Sequence, residues 1–367
     1  MQLRSLSKIA LLLPLQSLII LASPFAQTNL VSNVPGLATF TDPNLKNPWG
    51  MAFSGASPIW VADNDTNKAT VYNGAGVPNA SLIVTVPGFP TGTVFNSAGA
   101  GNFPSPSNGA ASNFIFATLA GSIVAWNGAN GATASIVAST PNAVYTGLAI
   151  GNNGSGNFLY AANFASGHID VFNSSFGSAT VSGSFTDPNL PAGYAPYNVQ
   201  NLGGKLYIQY AQPDPVTHES MEGPGLGIVD VFDTNGNLLQ RLVSNGGALN
   251  APWGIAVAPA GFGEFGGDVL VGNFGDGKIN AFDPGNGNWL GVLTDSSGNP
   301  IVNDGLWAIA FGNSSANPNA LYFNAGINDE ADGLFGEIQA VPEPAAMALV
   351  ALGFLGFAGI VRRRRSV

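Results

Sequence analysis

The amino-acid sequence predicts an all-β fold, namely a six-bladed β-propeller with four-stranded antiparallel blades. Three observations lead to this prediction. The chain contains 49 Gly and 25 Pro, yet 46% of it is hydrophobic, which is too apolar for a disordered polymer. Its apolar segments are short β-branched and aromatic runs bounded by Gly, Asn and Asp, as β-strands are. These runs recur about every fifty residues, which is a period typical of propeller blades.

The innermost strand of each blade is predicted from a segment that begins with an aromatic residue. The clearest copies are residues 49–53, 253–257 and 307–311, in which Trp is followed by Gly or Ala. Weaker copies lie at 146–150 and 197–200, and a degenerate copy around 93–96 fills the remaining gap. Six first strands therefore predict six blades.

Three further strands follow each first strand. The second segments are residues 59–64, 114–118, 158–163, 206–210, 269–273 and 321–324. The third segments are residues 70–72, 123–126, 169–172, 229–232, 279–282 and 337–339. Fourth segments such as 82–86, 136–138 and 238–243 complete the units. The last unit has only three strands before the C-terminal tail, so its fourth strand must come from elsewhere.

Ring closure is predicted from a match between the two halves of the chain. Residues 30–33 and 242–245 both read Leu-Val-Ser-Asn, and each leads into a Leu-x-x-Pro-Trp-Gly-x-Ala stretch. We therefore expect the N-terminal segment to form the outer strand of the sixth blade. Such pairing joins the ends of the ring and removes exposed sheet edges.

The charge distribution excludes nucleic acid as a partner. Between residues 27 and 341 there are 20 acidic residues and only five basic ones, and the other basic residues lie near the two ends. Such a surface repels phosphate backbones. The sequence contains no Cys, so neither a disulfide framework nor a thiolate site is available.

The first 26 residues have the three parts of a secretory signal. Arg4 and Lys8 precede an apolar run over residues 9–22, and small residues then lead to a predicted cleavage between residues 26 and 27. The alternative is a first transmembrane helix, which Pro14 and Gln16 disfavour because they interrupt the apolar run. Signal peptidase is the partner that this segment predicts.

The C-terminal segment, residues 341–367, has a more specific pattern. Pro342, Glu343 and Pro344 precede a 17-residue apolar run over 345–361. A cluster of four arginines follows: Arg362, Arg363, Arg364 and Arg365. Seventeen apolar residues just span a bilayer, and the arginines would stay on its cytoplasmic side. With an N-terminal export signal, this topology places residues 27–340 outside the inner membrane.

This three-part pattern resembles the PEP-CTERM sorting signal of Gram-negative bacteria. The resemblance implies transient insertion in the inner membrane through residues 345–361 and recognition by an exosortase. It also implies cleavage near the motif and release to the cell envelope, the surface or the medium. The alternative is a plain C-terminal membrane anchor.

The repeat unit resembles NHL-type propeller repeats, with residues 61–72 as the closest single copy. Across residues 27–340 the chain is similar to an uncharacterised bacterial family of six-bladed propellers, many of which carry PEP-CTERM tails. The matching stretches are 41–50, 60–64 and 227–232. This resemblance implies no particular reaction.

Two groups of residues are candidates for a functional site. Five aromatic residues begin inner strands and are expected to surround the mouth of the central channel: Trp49, Tyr145, Tyr197, Trp253 and Trp307. A ring of this kind stacks on sugar faces, although packing between blades produces the same pattern. The second group lies in the long segment 212–225 and offers metal-type ligands: Asp214, His218, Glu219 and Glu222. A solvated acidic loop is the alternative interpretation of this segment.

The expected function is non-catalytic binding or structural work at the cell surface or in an extracellular matrix, with polysaccharide as the expected partner. The alternative is a metal-dependent hydrolase or lactonase with a divalent cation such as calcium in the central channel. Propellers of the gluconolactonase type place carboxylates on the innermost strands for that purpose. The innermost strands predicted here contain none.

Overall fold

The structure is a computed structural model, and it describes residues 24–341. The predicted signal before residue 24 and the sorting segment after Val341, including the apolar run 345–361, lie outside the described residues. Within residues 24–341, no helix is long and apolar enough to cross a membrane.

The described chain folds into strands and two short 3-10 helices, Gly128–Asn130 and Gly263–Phe265. The first two strands are β1 (Phe25–Ser32) and β2 (Phe40–Thr41). Blade 1 consists of β3 (Pro48–Ala52), β4 (Ile59–Asp63), β5 (Lys68–Tyr72) and β6 (Val84–Thr85). Blade 2 consists of β7 (Pro90–Phe95), β8 (Phe114–Thr118), β9 (Ser122–Trp126) and β10 (Ser135–Ser139). Blade 3 consists of β11 (Tyr145–Asn152), β12 (Asn157–Asn163), β13 (His168–Asn173) and β14 (Ser178–Ala179).

Blades 4 to 6 repeat the same order. Blade 4 consists of β15 (Ala195–Leu202), β16 (Lys205–Ala211), β17 (Ile228–Asp233) and β18 (Leu238–Val243). Blade 5 consists of β19 (Pro252–Val257), β20 (Val269–Asn273), β21 (Ile279–Phe282) and β22 (Trp289–Val292). Blade 6 contains β23 (Leu306–Phe311), β24 (Ala320–Ala325) and β25 (Leu334–Ala340), followed by β1 and β2.

The six sheets form a closed ring, which confirms the predicted six-bladed propeller. The innermost strands β3, β7, β11, β15, β19 and β23 are neighbours in that order, and β23 returns to β3. The hydrophobic core lies between successive blades. Between blades 1 and 2, for example, Trp60 stacks on Phe114 with ring centroids 4.2 Å apart.

The N-terminal strand closes the ring in the way the sequence predicts. β1 pairs antiparallel with β25, and the register includes Thr28 opposite Glu337 and Ser32 opposite Leu334. The short strand β2 then pairs parallel with β1, so blade 6 has five strands. The outer edge of β25 is therefore covered.

The propeller begins at Phe25, two residues before the predicted domain start at residue 27. Phe25 is only 2% exposed and packs on Phe262 and Phe265, with centroids 4.9 and 5.9 Å away. Its N–H also donates to the carbonyl of Thr294 at 2.8 Å. An apolar residue at this position fits a signal segment and a buried strand equally well, so hydropathy does not distinguish the two.

The innermost strands approach one another closely because a small residue follows the aromatic position. A Cβ at Gly50 would lie 2.3 Å from the carbonyl oxygen of Thr91, and one at Gly254 would lie 2.4 Å from that of Trp307. Real atoms do not approach that closely, so a side chain here would force the strands apart. This contact explains the recurring Trp-Gly pair and leaves a central cavity of only about 40 Å³.

We expect the substitution Phe25→Ala to destabilise the protein by about 3–5 kcal/mol, because it empties a buried aromatic site on the closing strand. The matched control is Thr28→Ala, which alters an exposed residue of the same strand. Denaturant unfolding of the two variants checks this expectation. Equal stability of both variants would show that β1 does not hold the ring closed.

Candidate binding site at the channel mouth

A pocket of about 590 Å³ lies at the face of the propeller where the innermost strands begin. Five aromatic residues contribute to its lining: Trp49, Phe164, Tyr197, Phe274 and Trp307. Five acidic residues also line it: Asp65, Glu219, Glu222, Asp329 and Glu330. Its volume is within the range of about 300–1,000 Å³ that is usual for ligand sites.

The aromatic residues form the floor of this pocket. Trp49 stacks on Trp307 with centroids 3.5 Å apart and planes inclined by 19°. Phe274 lies 4.2 Å from Trp307, and Tyr197 lies 5.9 Å from it. Because Trp307 is fully buried, the cluster closes the channel and converts it into a one-sided pocket.

Three of the five predicted aromatic residues line the pocket, namely Trp49, Tyr197 and Trp307. Trp253 lies behind them, edge-on to Trp49 and Trp307, and its Nε1 donates to the carbonyl of Thr146 at 3.0 Å. It therefore supports the floor without facing the cavity.

Tyr145 does not line the pocket, because it lies one residue before the position that Trp253 occupies in its blade. Tyr145 pairs with Asn163 as Pro252 pairs with Asn273, so Thr146 occupies the position of Trp253. A shift of one residue turns a strand side chain to the opposite face. The Tyr145 hydroxyl instead donates to the Asp170 carboxylate at 2.7 Å.

The segment 212–225 folds over the mouth. Ser220 Oγ donates to the Tyr197 hydroxyl at 3.1 Å, and the N–H of Gly223 donates to Asn250 Oδ1 at 2.7 Å. These bonds bring His218, Glu219 and Glu222 to the pocket.

Asp214, the fourth predicted ligand in this segment, stays outside the pocket. Its carboxylate accepts from the N–H groups of Val216 and Thr217 at 2.7 and 2.9 Å, so it caps its own turn. Among residues 24–341, no three His, Asp or Glu side chains are arranged to hold a metal ion. The predicted metal set is thus divided between the pocket and the outer surface of the loop.

Three acidic residues of the pocket are not among the predicted site residues: Asp65, Asp329 and Glu330. Each lies in an acidic run of a kind that is usually solvated, so the local sequence carries no signal for a pocket. The run 329–332 lies between β24 and β25, and Asp65 lies in the turn between β4 and β5. The ring alone brings these loops to the side of segment 212–225.

Glu330 is the most perturbed of the pocket carboxyls. Its Oε2 accepts from Asn47 Nδ2 at 2.6 Å, while Asn47 Oδ1 accepts from Trp307 Nε1 at 2.9 Å. The pKa of Glu330 is raised from 4.5 to about 7, mainly by burial; the hydrogen bond from Asn47 lowers it, and the nearby carboxyl groups of Asp65 and Glu219 add smaller upward contributions. Glu330 is therefore partly protonated at neutral pH and joins the acidic rim to the aromatic floor.

Several residues at the mouth have a left-handed backbone conformation. Asn328, Asp329 and Glu330 have φ values of 57°, 51° and 63°, and they form a left-handed turn without glycine. Asn47 and His218 also have positive φ values, of 42° and 64°. Left-handed residues other than Gly cost roughly 1–2 kcal/mol each, and such strain is typical of functional sites.

We expect Glu330→Gln to stabilise the protein at neutral and higher pH. Folding raises the pKa of Glu330 from 4.5 to about 7. Between these two pH values the unfolded chain gives up its proton more readily than the folded one, so the carboxyl group lowers the free energy of unfolding as pH rises. A neutral amide of the same shape avoids that cost and still accepts from Asn47.

Thermal unfolding across this pH range checks the expectation, with Glu337→Gln on β25 as the control outside the pocket. In acid, Glu330→Gln and the unsubstituted protein should have equal Tm. As pH rises, the Tm of Glu330→Gln should increase relative to that of the unsubstituted protein, whereas the Tm difference for Glu337→Gln should stay constant. A difference in Tm that does not change with pH would contradict the assigned burial of the charge.

Comparison with known proteins identifies the C-terminal segment. Residues 340–365 match the PEP-CTERM protein-sorting motif, which confirms the predicted resemblance for this segment. The motif implies exosortase-dependent sorting and indicates export to the cell envelope or surface.

Two relatives cover most of the chain. An uncharacterised protein of Acanthamoeba polyphaga mimivirus is 34% identical over 328 residues, which cover 84% of this chain and 78% of that protein. A second uncharacterised protein of the same virus is 34% identical over 327 residues, which cover 84% of this chain and 84% of that protein. The resemblance to NHL-type repeats is not confirmed by these relatives and stays a prediction.

Solved structures show the same fold at low sequence identity. A streptogramin B lyase superposes with a TM-score of 0.51 at 13% identity, covering 87% of this chain and 98% of the lyase. A protein of unknown function from Bacteroides thetaiotaomicron has a TM-score of 0.54 at 11% identity, covering 86% of this chain and 76% of that protein. At these identities the likeness concerns the fold alone.

Proposed function

Because the chain belongs to the same family as the two uncharacterised mimivirus proteins, and because a PEP-CTERM motif follows its last strand, we propose that it is an exported binding protein of the cell envelope or surface. The pocket at the channel mouth is its binding site. The role is one of recognition or structure in the extracellular matrix, and polysaccharide is the proposed ligand.

The positions of the two chain ends are consistent with a pocket that faces away from the point of attachment. The N–H of Val341 donates to the carbonyl of Pro24 at 2.8 Å, so both ends of the described chain leave blade 6 at one point. That point lies at the Ala340 end of β25, whereas the acidic turn 328–332 leads into its Leu334 end. A protein held through its C-terminal segment would therefore present the pocket on the face opposite its attachment.

The pocket offers the chemistry that a sugar requires. Phe274 is partly exposed and presents an aromatic face. The side chains of Asn64, Thr146 and Ser220 line the same cavity and can bond hydroxyl groups. The combination of an aromatic floor with a polar rim is the observation that carries the proposal.

A hydrolase at the same mouth is the second candidate, and Glu330 is the observation that favours it. A carboxyl with a pKa of about 7 close to other carboxyl groups suits general acid–base work. The metal-dependent form with a central ion has less support, since the cavity between the described inner strands is lined without carboxylates. Turnover that is lost in Glu330→Gln would favour the hydrolase over the binding protein.

Export requires processing at both ends. We place the signal peptidase site before Phe25, because cleavage between residues 26 and 27 would remove a core residue and part of β1. The Pro-Glu-Pro motif and the proposed inner-membrane span, residues 345–361, both come after β25. Cleavage at the motif would therefore leave the propeller intact.

N-terminal sequencing of the protein exported from its host tests this placement. We expect the mature chain to begin at or before Phe25. A mature protein that begins at Gln27 would contradict the role assigned to Phe25.

We expect Phe274→Ala to weaken binding of surface polysaccharide about two- to tenfold, which is the usual worth of one aromatic contact. Affinity electrophoresis of the purified protein in gels containing extracellular polysaccharide measures this change. The matched control is Trp289→Ala, which removes an exposed aromatic from the outer strand of blade 5. Equal migration of the two variants would overturn the mouth pocket as the binding site.

A further inference from the structure

The charged residues that line the mouth pocket are predominantly acidic. Five carboxyl groups from blades 1, 4 and 6 line it, and among residues 24–341 no Lys or Arg side chain does so. The ion pairs of Arg241 and Lys278 in the described chain are formed elsewhere, with Asp187, Asp230 and Asp276. His218 is the one pocket residue able to become cationic.

Such a pocket discriminates strongly by ligand charge. Carboxylates that are partly removed from water repel one another, and an anionic ligand would add to that repulsion. A cationic ligand would relieve it, and the aromatic floor adds attraction because a cation is stabilised near the face of a ring. An acidic polysaccharide such as a uronate polymer is therefore excluded from this site.

A second observation concerns the floor and points to a ligand that also carries oxygen. Trp49 lines the pocket and is 6% exposed, yet its indole N–H has no hydrogen-bond partner within the described chain. Buried donors normally have an acceptor, so this N–H indicates a missing one. Asn64, Thr146 and Ser220 line the same pocket and are suited to hydroxyl groups.

We propose that the pocket binds an amino sugar with a free, positively charged amine, as found in de-N-acetylated hexosamine polysaccharides. This inference rests on the proposed function, because it specifies the ligand of the same site. The carboxylates of Glu219 and Glu222 receive the ammonium group, Phe274 contacts the sugar ring, and a hydroxyl oxygen accepts from Trp49. A simple polyamine satisfies the charge but offers no acceptor for Trp49.

The test compares two oligosaccharides of equal length that differ in charge. Titration calorimetry at mildly acidic pH, at which the sugar amines are protonated, measures the affinity of the purified protein for tetraglucosamine and for its fully N-acetylated counterpart. We expect tetraglucosamine to bind at least about fivefold more tightly and its affinity to fall as salt is added. The double variant Glu219→Gln with Glu222→Gln should remove this preference, whereas Glu337→Gln, outside the pocket, should retain it.

The outcomes separate the two proposals. If both oligosaccharides bind equally and the double variant matches the unsubstituted protein, the charge inference fails while sugar binding stands. If spermine binds as tightly as tetraglucosamine, the pocket recognises charge alone and the amino-sugar assignment is overturned. If neither oligosaccharide binds, both the amino-sugar inference and the proposed binding of polysaccharide are wrong.

Discussion

The pairing of β1 with β25 is the contact on which the rest of the structure depends. It joins Ser32 to Leu334, which lie almost a whole domain apart along the chain. Each blade alone has exposed strand edges and two uncovered apolar faces, so the sheets are stable only when the ring is complete. The buried ring of Phe25 and the backbone bond from Val341 to Pro24 complete this closure where the two ends meet. The integrity of the fold therefore depends on the two ends of the described chain.

Close packing at the axis determines what kind of site this propeller has. Gly50 and Gly254 let neighbouring inner strands approach until a Cβ would overlap backbone atoms. The remaining space is too small for a ligand, and the stacked Trp49 and Trp307 close it from above. The axis is thus closely packed, and the 590 Å³ pocket lies among the loops above it. The same aromatic residues serve blade packing and pocket formation, which is why either interpretation accounts for their sequence pattern.

The mouth retains features that reduce stability. Residues 328–330 form a left-handed turn without glycine, and Glu330 has a carboxyl group whose charge is disfavoured by burial. The other acidic residues of the rim face one another without a Lys or Arg among the described pocket residues. Strain and repulsion of this kind are expected where a site is shaped for a partner rather than for stability. Their concentration at one face, above a floor with an unpaired Trp49 N–H, is the physical basis for assigning function to this pocket.

The sequence by itself determined the strands, their period and the closure of the ring, because each is written in short segments such as Leu-Val-Ser-Asn and Trp-Gly-x-Ala. The PEP-CTERM tail is equally local, so it too was recognised from the chain alone. The prediction failed at Tyr145, which lies one residue before the position of Trp253 and therefore turns its side chain away from the mouth. Sequence patterns also gave no reason to separate Glu330 and Asp65 from ordinary solvated acids. Only the closed ring brings loops of blades 1, 4 and 6 over one aromatic floor, since local sequence does not encode which distant loops become neighbours.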